Sequence, residues 1–192
     1  GKPMLMIHRA DLLPDPSLYA RTWRQRALDH GFPGIYLIAA ETRAGVDPRD
    51  WDFDAAAEFP PLTRGRLRNA MLRPPVGLHS HFSGRLLSYR KIATELQSRS
   101  ATDFVLHRGV VPAWDNTARR GLSATVLVGH SPRDYNRWLS WALAQEREAN
   151  GARGLVFVNA WNEWAEGAYL QPDTVHGASY LEATRAAVDG VP

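Results

Sequence analysis

Five short runs in the chain are apolar along most of their length instead of alternating with polar residues. They are 4–7 (Met-Leu-Met-Ile), 34–40 (Gly-Ile-Tyr-Leu-Ile-Ala-Ala), 53–59 (Phe-Asp-Ala-Ala-Ala-Glu-Phe), 104–111 (Phe-Val-Leu-His-Arg-Gly-Val-Val) and 155–158 (Leu-Val-Phe-Val). A strand with water on one face alternates; a strand covered on both faces does not have to. Helical stretches lie between these runs. One starts at Ser17 as N-cap, runs to about His30 and ends at Gly31. Others cover 89–98 and 179–188, and one opens with Ser131 as N-cap and Pro132 at its first position. Trp138, Leu139, Ala142 and Leu143 give that helix an apolar face. Strand and helix in turn predict an α/β fold built on a parallel sheet.

Two architectures fit. An open doubly wound sheet would carry a glycine-rich phosphate turn such as Gly-x-Gly-x-x-Gly after a strand, and none is present. Polar residues follow several strands, which suits a barrel, where the loops after the strands build the site. A complete (β/α)8 barrel needs eight strands and typically about 250 residues. The 192 residues therefore read as a single domain: the C-terminal portion, about five βα units, of a (β/α)8 TIM barrel. Its open sheet edges call for the N-terminal barrel segment as a partner.

The fifth strand runs straight into chemistry. After 155–158 come Trp161, Asn162, Glu163, Trp164, Glu166 and Tyr169. Two glutamates three apart in a helical turn have Cβ atoms roughly 5–6 Å apart. Carboxyl groups about 5–5.5 Å apart suit retaining glycoside chemistry, and indole faces pack against the C–H faces of sugars. The competing reading is a glutamate pair bridging to rim arginines, beside tryptophans that belong to the core. Glu58 ends the third strand and is expected in the layer of Glu163, either toward substrate or in a salt bridge with an arginine. Past the fourth strand, Trp114, Asp115, Asn116, Arg119 and Arg120 offer an aromatic face, groups for hydroxyl pairs and two cations for an anion. Alternatively, Asp115 and Arg119 pair and fix their loop. Residues 60–84 are rich in Pro, Gly and Arg and read as a binding loop.

Composition narrows the classes further. Cysteine is absent, which removes disulfides and thiolate sites. His79 and His81 have the spacing of strand metal ligands but lack a third, so no metal is assigned. No apolar run approaches 18 residues, so no transmembrane segment is expected; composition leaves the compartment undetermined, and a cytoplasmic or membrane-peripheral location is the expectation. Of the 23 basic residues only Lys2 and Lys91 are lysine. Arginine grips carboxylate and phosphate bidentately, so an acidic substrate is one reading and genomic base composition the other. The arginines are scattered among acids, which argues against nucleic acid.

Three motifs in order carry a resemblance: Phe53-Asp-Ala-Ala-Ala-Glu-Phe-Pro-Pro61, Trp114-Asp-Asn-Thr-Ala-Arg-Arg120 and Asn159-Ala-Trp-Asn-Glu-Trp-Ala-Glu-Gly-Ala-Tyr-Leu170. The chain from residue 1 to about 188 resembles the WbsX-like family of glycosyltransferases in lipopolysaccharide and O-antigen synthesis, which is related to family 99 glycoside hydrolases. Those hydrolases are (β/α)8 retaining enzymes that act on α-mannosides through an Asn-Glu-Trp-x-Glu-Gly motif, similar to Asn162, Glu163, Trp164, Glu166 and Gly167 here. The resemblance implies that Glu163 deprotonates the substrate's own 2-hydroxyl, giving a 1,2-anhydro sugar, while Glu166 protonates the leaving oxygen and then activates water or an acceptor. It implies no cofactor. A close carboxylate pair has its two ionisations split apart, as such chemistry requires. The histidines at 79 and 81 are outside the resemblance.

Three functions stay open on sequence grounds. The first is glycosyl transfer or hydrolysis on a bacterial surface polysaccharide or lipid-linked oligosaccharide. The second is a nucleotide-sugar-dependent glycosyltransferase with Arg119 and Arg120 on the diphosphate. The third is a non-catalytic glycan-binding barrel.

Overall fold

The structure is a computed structural model and describes residues 1–43, 45–61 and 77–190. In chain order the elements are β1 (Met4–Ile7), α1 (Pro16–Asp29), β2 (Tyr36–Glu41), β3 (Ala55–Glu58), β4 (Arg85–Ser88), α2 (Tyr89–Gln97), β5 (Leu106–Val110), α3 (Thr117–Arg120), β6 (Thr125–Val128), α4 (Pro132–Asn150), β7 (Val156–Val158), β8 (Asn162–Glu163), β9 (Ala168–Tyr169) and α5 (Ser179–Asp189). The five expected strands form one parallel sheet in the order β1-β2-β3-β5-β7. The sheet curls into a half-barrel.

The apolar runs divide by period two, as strands must. Leu37, Ala39 and Ala56 face α1 and pack with Ala20, Val46 and Phe53. Ile38, Ala55 and Ala57 face the other way, toward Met6, Tyr36 and Phe157. The largest core lies where α2, α4 and α5 cover β4, β5 and β6: Leu87, Tyr89, Val110, Leu127, Tyr135 and Trp138 are nearly all fully buried there. β5 lies so close to β3 that a Cβ at Gly109 would fall 2.0 Å from the Glu58 carbonyl oxygen, so only glycine fits.

Several details differ from the sequence expectations. The α1 N-cap is Asp15, whose carboxylate accepts from the Leu18 amide at 2.9 Å with Pro16 at the first helical position, and not Ser17. An Asp-Pro pair supplies both the side-chain acceptor and the preset φ that a helix start needs. β7 is half-buried where full burial was expected, because among the described residues it pairs only with β5. Just past the region read as a long loop lies a strand left unassigned from sequence, β4, which pairs in parallel with β6 in a separate two-stranded sheet. Residues 62–76 of that expected binding loop lie outside the described residues. Among the described residues, no helix is long and apolar enough to cross a membrane.

Candidate functional site

The acidic motif folds as a tight antiparallel hairpin on the carboxyl end of β7. Asn159 anchors its start: its amide donates to the Val110 carbonyl at 2.9 Å and its side chain to the Pro60 carbonyl at 2.8 Å. The strands β8 and β9 pair Asn162 with Tyr169 and Glu163 with Ala168. A 3-10 turn, Trp164–Glu166, joins them. With three residues per turn, positions 163 and 166 lie on one side, and both glutamates line the same cleft. The turn closes at Gly167 in the left-handed region, φ 58°. A Cβ there would meet the Asp115 amide nitrogen at 2.9 Å and its carbonyl oxygen at 3.0 Å.

That contact belongs to a seam between two loops. The Asp115 amide donates to the Glu166 carbonyl at 2.8 Å, and Arg119 Nη1 donates to Glu166 Oε1 at 2.6 Å. Asp115 does not pair with Arg119; its carboxylate accepts from the Thr117 amide at 2.9 Å and starts the turn into α3. Asn116 Oδ1 accepts from the Thr125 amide at 2.8 Å, tying the loop to β6.

The cleft has a volume of about 780 Å³ and collects residues from many strand ends. Trp114, Asn116, Arg119, Arg120, Glu163 and Glu166 line it, as the sequence placed them. His8 and Arg9 after β1, Thr42 after β2, Phe59 and Pro61 after β3, and Asn159 and Ala160 after β7 join them. Arg85 and Thr125 come from the first positions of β4 and β6. Sequence reasoning did not assign these to the site. Their position just past a strand could have found His8, Arg9 and Thr42. Arg85 had no such signal, since residues 85–88 were not read as a strand.

Other expected site residues lie elsewhere. Trp161 and Trp164 are about half exposed on the hairpin, at 54% and 49%. Trp164 stacks on Tyr169 with centroids 3.9 Å apart, and its Nε1 donates to Gln171 Oε1 at 2.7 Å. Burial, then Asp173, pushes the Tyr169 hydroxyl up from the ordinary phenol range. Asn162 is exposed on the same hairpin. Glu58 is not part of the cleft lining; it shares a sheet face with Ala56, so its carboxylate enters the layer between sheet and helices. There it accepts from Arg108 Nη1 at 3.0 Å, from the Gly109 amide at 3.2 Å and from Arg99 at 3.5 Å. Glu41, directly opposite on β2, binds Arg99 Nη1 at 2.5 Å. Burial holds the Glu58 carboxyl above the usual range against the pull of Arg108. His79 and His81 sit edge to face, 5.5 Å apart, and among the described residues no group of three or more His, Asp or Glu side chains is arranged to hold a metal ion.

The pattern of the Glycosyltransferase WbsX family matches residues 1–184. The chain belongs to that family. Two relatives in strains of Xanthomonas campestris pv. campestris, both called uncharacterized protein WxcX, are 40% and 39% identical over 198 aligned positions, covering 100% of this WbsX-family chain. The chain spans 27% of the length of either relative. A solved structure described as a glycoside hydrolase-like protein superposes with a TM-score of 0.61 over 97% of this chain and 54% of its own, at 14% identity. At that identity the likeness speaks for the fold alone. By sequence the chain belongs to the Glycosyltransferase WbsX family, and its fold is like that of a glycoside hydrolase-like protein.

Proposed function

We propose that the cleft is a glycoside-cleaving or glycosyl-transferring site of the retaining kind, acting on a bacterial surface polysaccharide or its lipid-linked precursor. The observation that carries this is the shared placement of Glu163 and Glu166 in one open cleft at the carboxyl end of a parallel half-barrel. Glu163 has no ion pair or side-chain hydrogen bond among the described residues, which leaves it available as a base. It takes the proton of the substrate's 2-hydroxyl as that oxygen attacks the anomeric carbon. The bond to the leaving oxygen breaks, and Glu166 supplies that oxygen with a proton. Water or an acceptor hydroxyl, deprotonated by Glu166, then opens the 1,2-anhydro ring, and Glu163 returns its proton to the 2-oxygen.

The sequential order of the five strands supports reading the sheet as consecutive units of a (β/α)8 barrel, whose remaining strands would pair at the edges β1 and β7. The stacked Trp164 and Tyr169 rings offer an outer platform for a sugar. A cytoplasmic or membrane-peripheral setting fits a lipid-linked substrate. The Arg119–Glu166 pair favours this chemistry over a diphosphate clamp formed by Arg119 and Arg120, because one of the two cations already faces a carboxylate. The experiment compares wild type with Glu166→Gln at the protein's natural full length, on O-antigen and α-mannan polysaccharides without nucleotide sugar. Release of reducing ends by wild type alone is expected. Turnover that depends on added nucleotide sugar would move the assignment to a nucleotide-dependent transferase.

A further inference from the structure

The cleft holds more cationic charge than its carboxylates neutralise. Four arginines line it, Arg9, Arg85, Arg119 and Arg120, against Glu163 and Glu166. Two of the four have partners. Arg119 binds Glu166, and Arg9 binds Asp11 with two parallel hydrogen bonds of 2.9 and 3.0 Å. Arg85 and Arg120 have no carboxylate partner among the described residues, and both are exposed toward the cleft. They come from different elements, β4 and α3, that are held together through β6: Arg85 is in register with Thr125, and Thr125 is bound by Asn116 at the start of α3. The backbone positions of the two residues are therefore set by this register. A neutral sugar gives a guanidinium only hydroxyl acceptors. A carboxylate or phosphate gives it two parallel charge-assisted bonds.

We propose that the saccharide bound in this cleft carries an oxyanion, a carboxylate or a phosphate, seated between Arg85 and Arg120. This rests on the reading of the cleft as a sugar site and narrows its substrate class from glycans in general to acidic ones. Glu163 and Glu166 act on the anomeric centre; Arg85 and Arg120 select which residue of the polymer sits beside it.

The test is a binding measurement on Glu163→Gln protein, so that turnover plays no part. The probes are glucuronate, glucose 1-phosphate and glucose, followed through the arginine Nε–Hε signals in ¹H–¹⁵N spectra. The expected result is saturable shifts at the two signals missing from Arg85→Gln and Arg120→Gln. At least one anionic sugar should bind about tenfold more tightly than glucose. The double variant should lose that preference while still binding glucose. A response to glucuronate alone identifies the oxyanion as a sugar acid, and a response to glucose 1-phosphate alone identifies it as a phosphate. Equal binding of all three sugars, or an anion preference that survives in the double variant, would overturn the inference and leave the sugar site standing. Binding by none of the three would overturn both.

Discussion

Arg119 Nη1 lies 2.6 Å from Glu166 Oε1, across the seam between the loop after β5 and the hairpin after β7. The arginine side chain is 55% exposed and the glutamate 22%. Such a pair adds little to stability, about 0–1 kcal/mol, so its consequence is for the chemistry. Glu166→Gln should lower turnover roughly 10²–10⁴-fold, the range for losing a general acid. Arg119→Leu should lower it by less, about tenfold, and leave the denaturant midpoint close to wild type. Equal losses in the two variants would mean that Glu166 acts only through its arginine.

Gly167 should be intolerant for two separate reasons. Its φ of 58° is one that a β-carbon disfavours by about 1–2 kcal/mol. Its approach to the Asp115 backbone leaves no room for one either. Gly167→Ala should therefore destabilise the chain by at least that amount in urea titration. It should also reduce turnover more than its stability loss explains, because Glu166 is displaced with the turn. A variant with wild-type activity would show that the hairpin tolerates movement.

Glu146 on α4 is the buried acid that holds the opposite end of the sheet. Its carboxylate accepts from His107 Nδ1 at 3.0 Å, the Arg108 amide at 2.8 Å, Asn150 at 2.9 Å and the Leu155 amide at 3.1 Å. Burial pushes this carboxyl up, but the bonds from His107 and Arg108 outweigh it and hold it below the ordinary glutamate range. A folded value below the unfolded one means stability that is complete above about pH 4.3 and is lost as pH falls through the folded value. Glu146→Ala should cost about 3 kcal/mol by leaving the Arg108 and Leu155 amides without an acceptor. Glu146→Gln should cost less and flatten the acid limb of the stability profile. The check is the urea midpoint of all three proteins from pH 7 down to pH 3.

Arg99 serves two neighbouring carboxylates, Glu41 and Glu58, that face each other across β2 and β3. Both acids and the arginine side chain are nearly inaccessible, at 2%, 1% and 6%. Arg99→Leu strips a cation from two buried like charges and should cost roughly 3–5 kcal/mol. The double change Arg99→Leu with Glu41→Gln should recover part of that loss. Failure to recover any would show that the network is held by packing alone.

The five strands were readable as apolar runs; burial on both faces accounts for this in β2 and β3, while β1 and β7 at the sheet edges are only half-buried. The shared placement of Glu163 and Glu166 was readable because both follow one strand within a single short turn, and the competing bridge to an arginine is also present, between Glu166 and Arg119. Arg85 was not, since Arg85-Leu-Leu-Ser88 is short and its strand partner lies 40 residues on, in β6. Glu58 shows the limit of reasoning by position along a strand. Lying near the carboxyl end places a residue at the right height, but period two decides which side of the sheet it faces. Ala57 and Glu58 differ by one position and by the whole thickness of the sheet.

Glu166 is tied to the neighbouring loop through the Asp115 amide and its own carbonyl, a bond between two main chains. Side chains can be exchanged over generations without breaking such a bond. The rim of the cleft, Arg85 and Arg120 included, can thus change its side chains while Glu166 keeps its place.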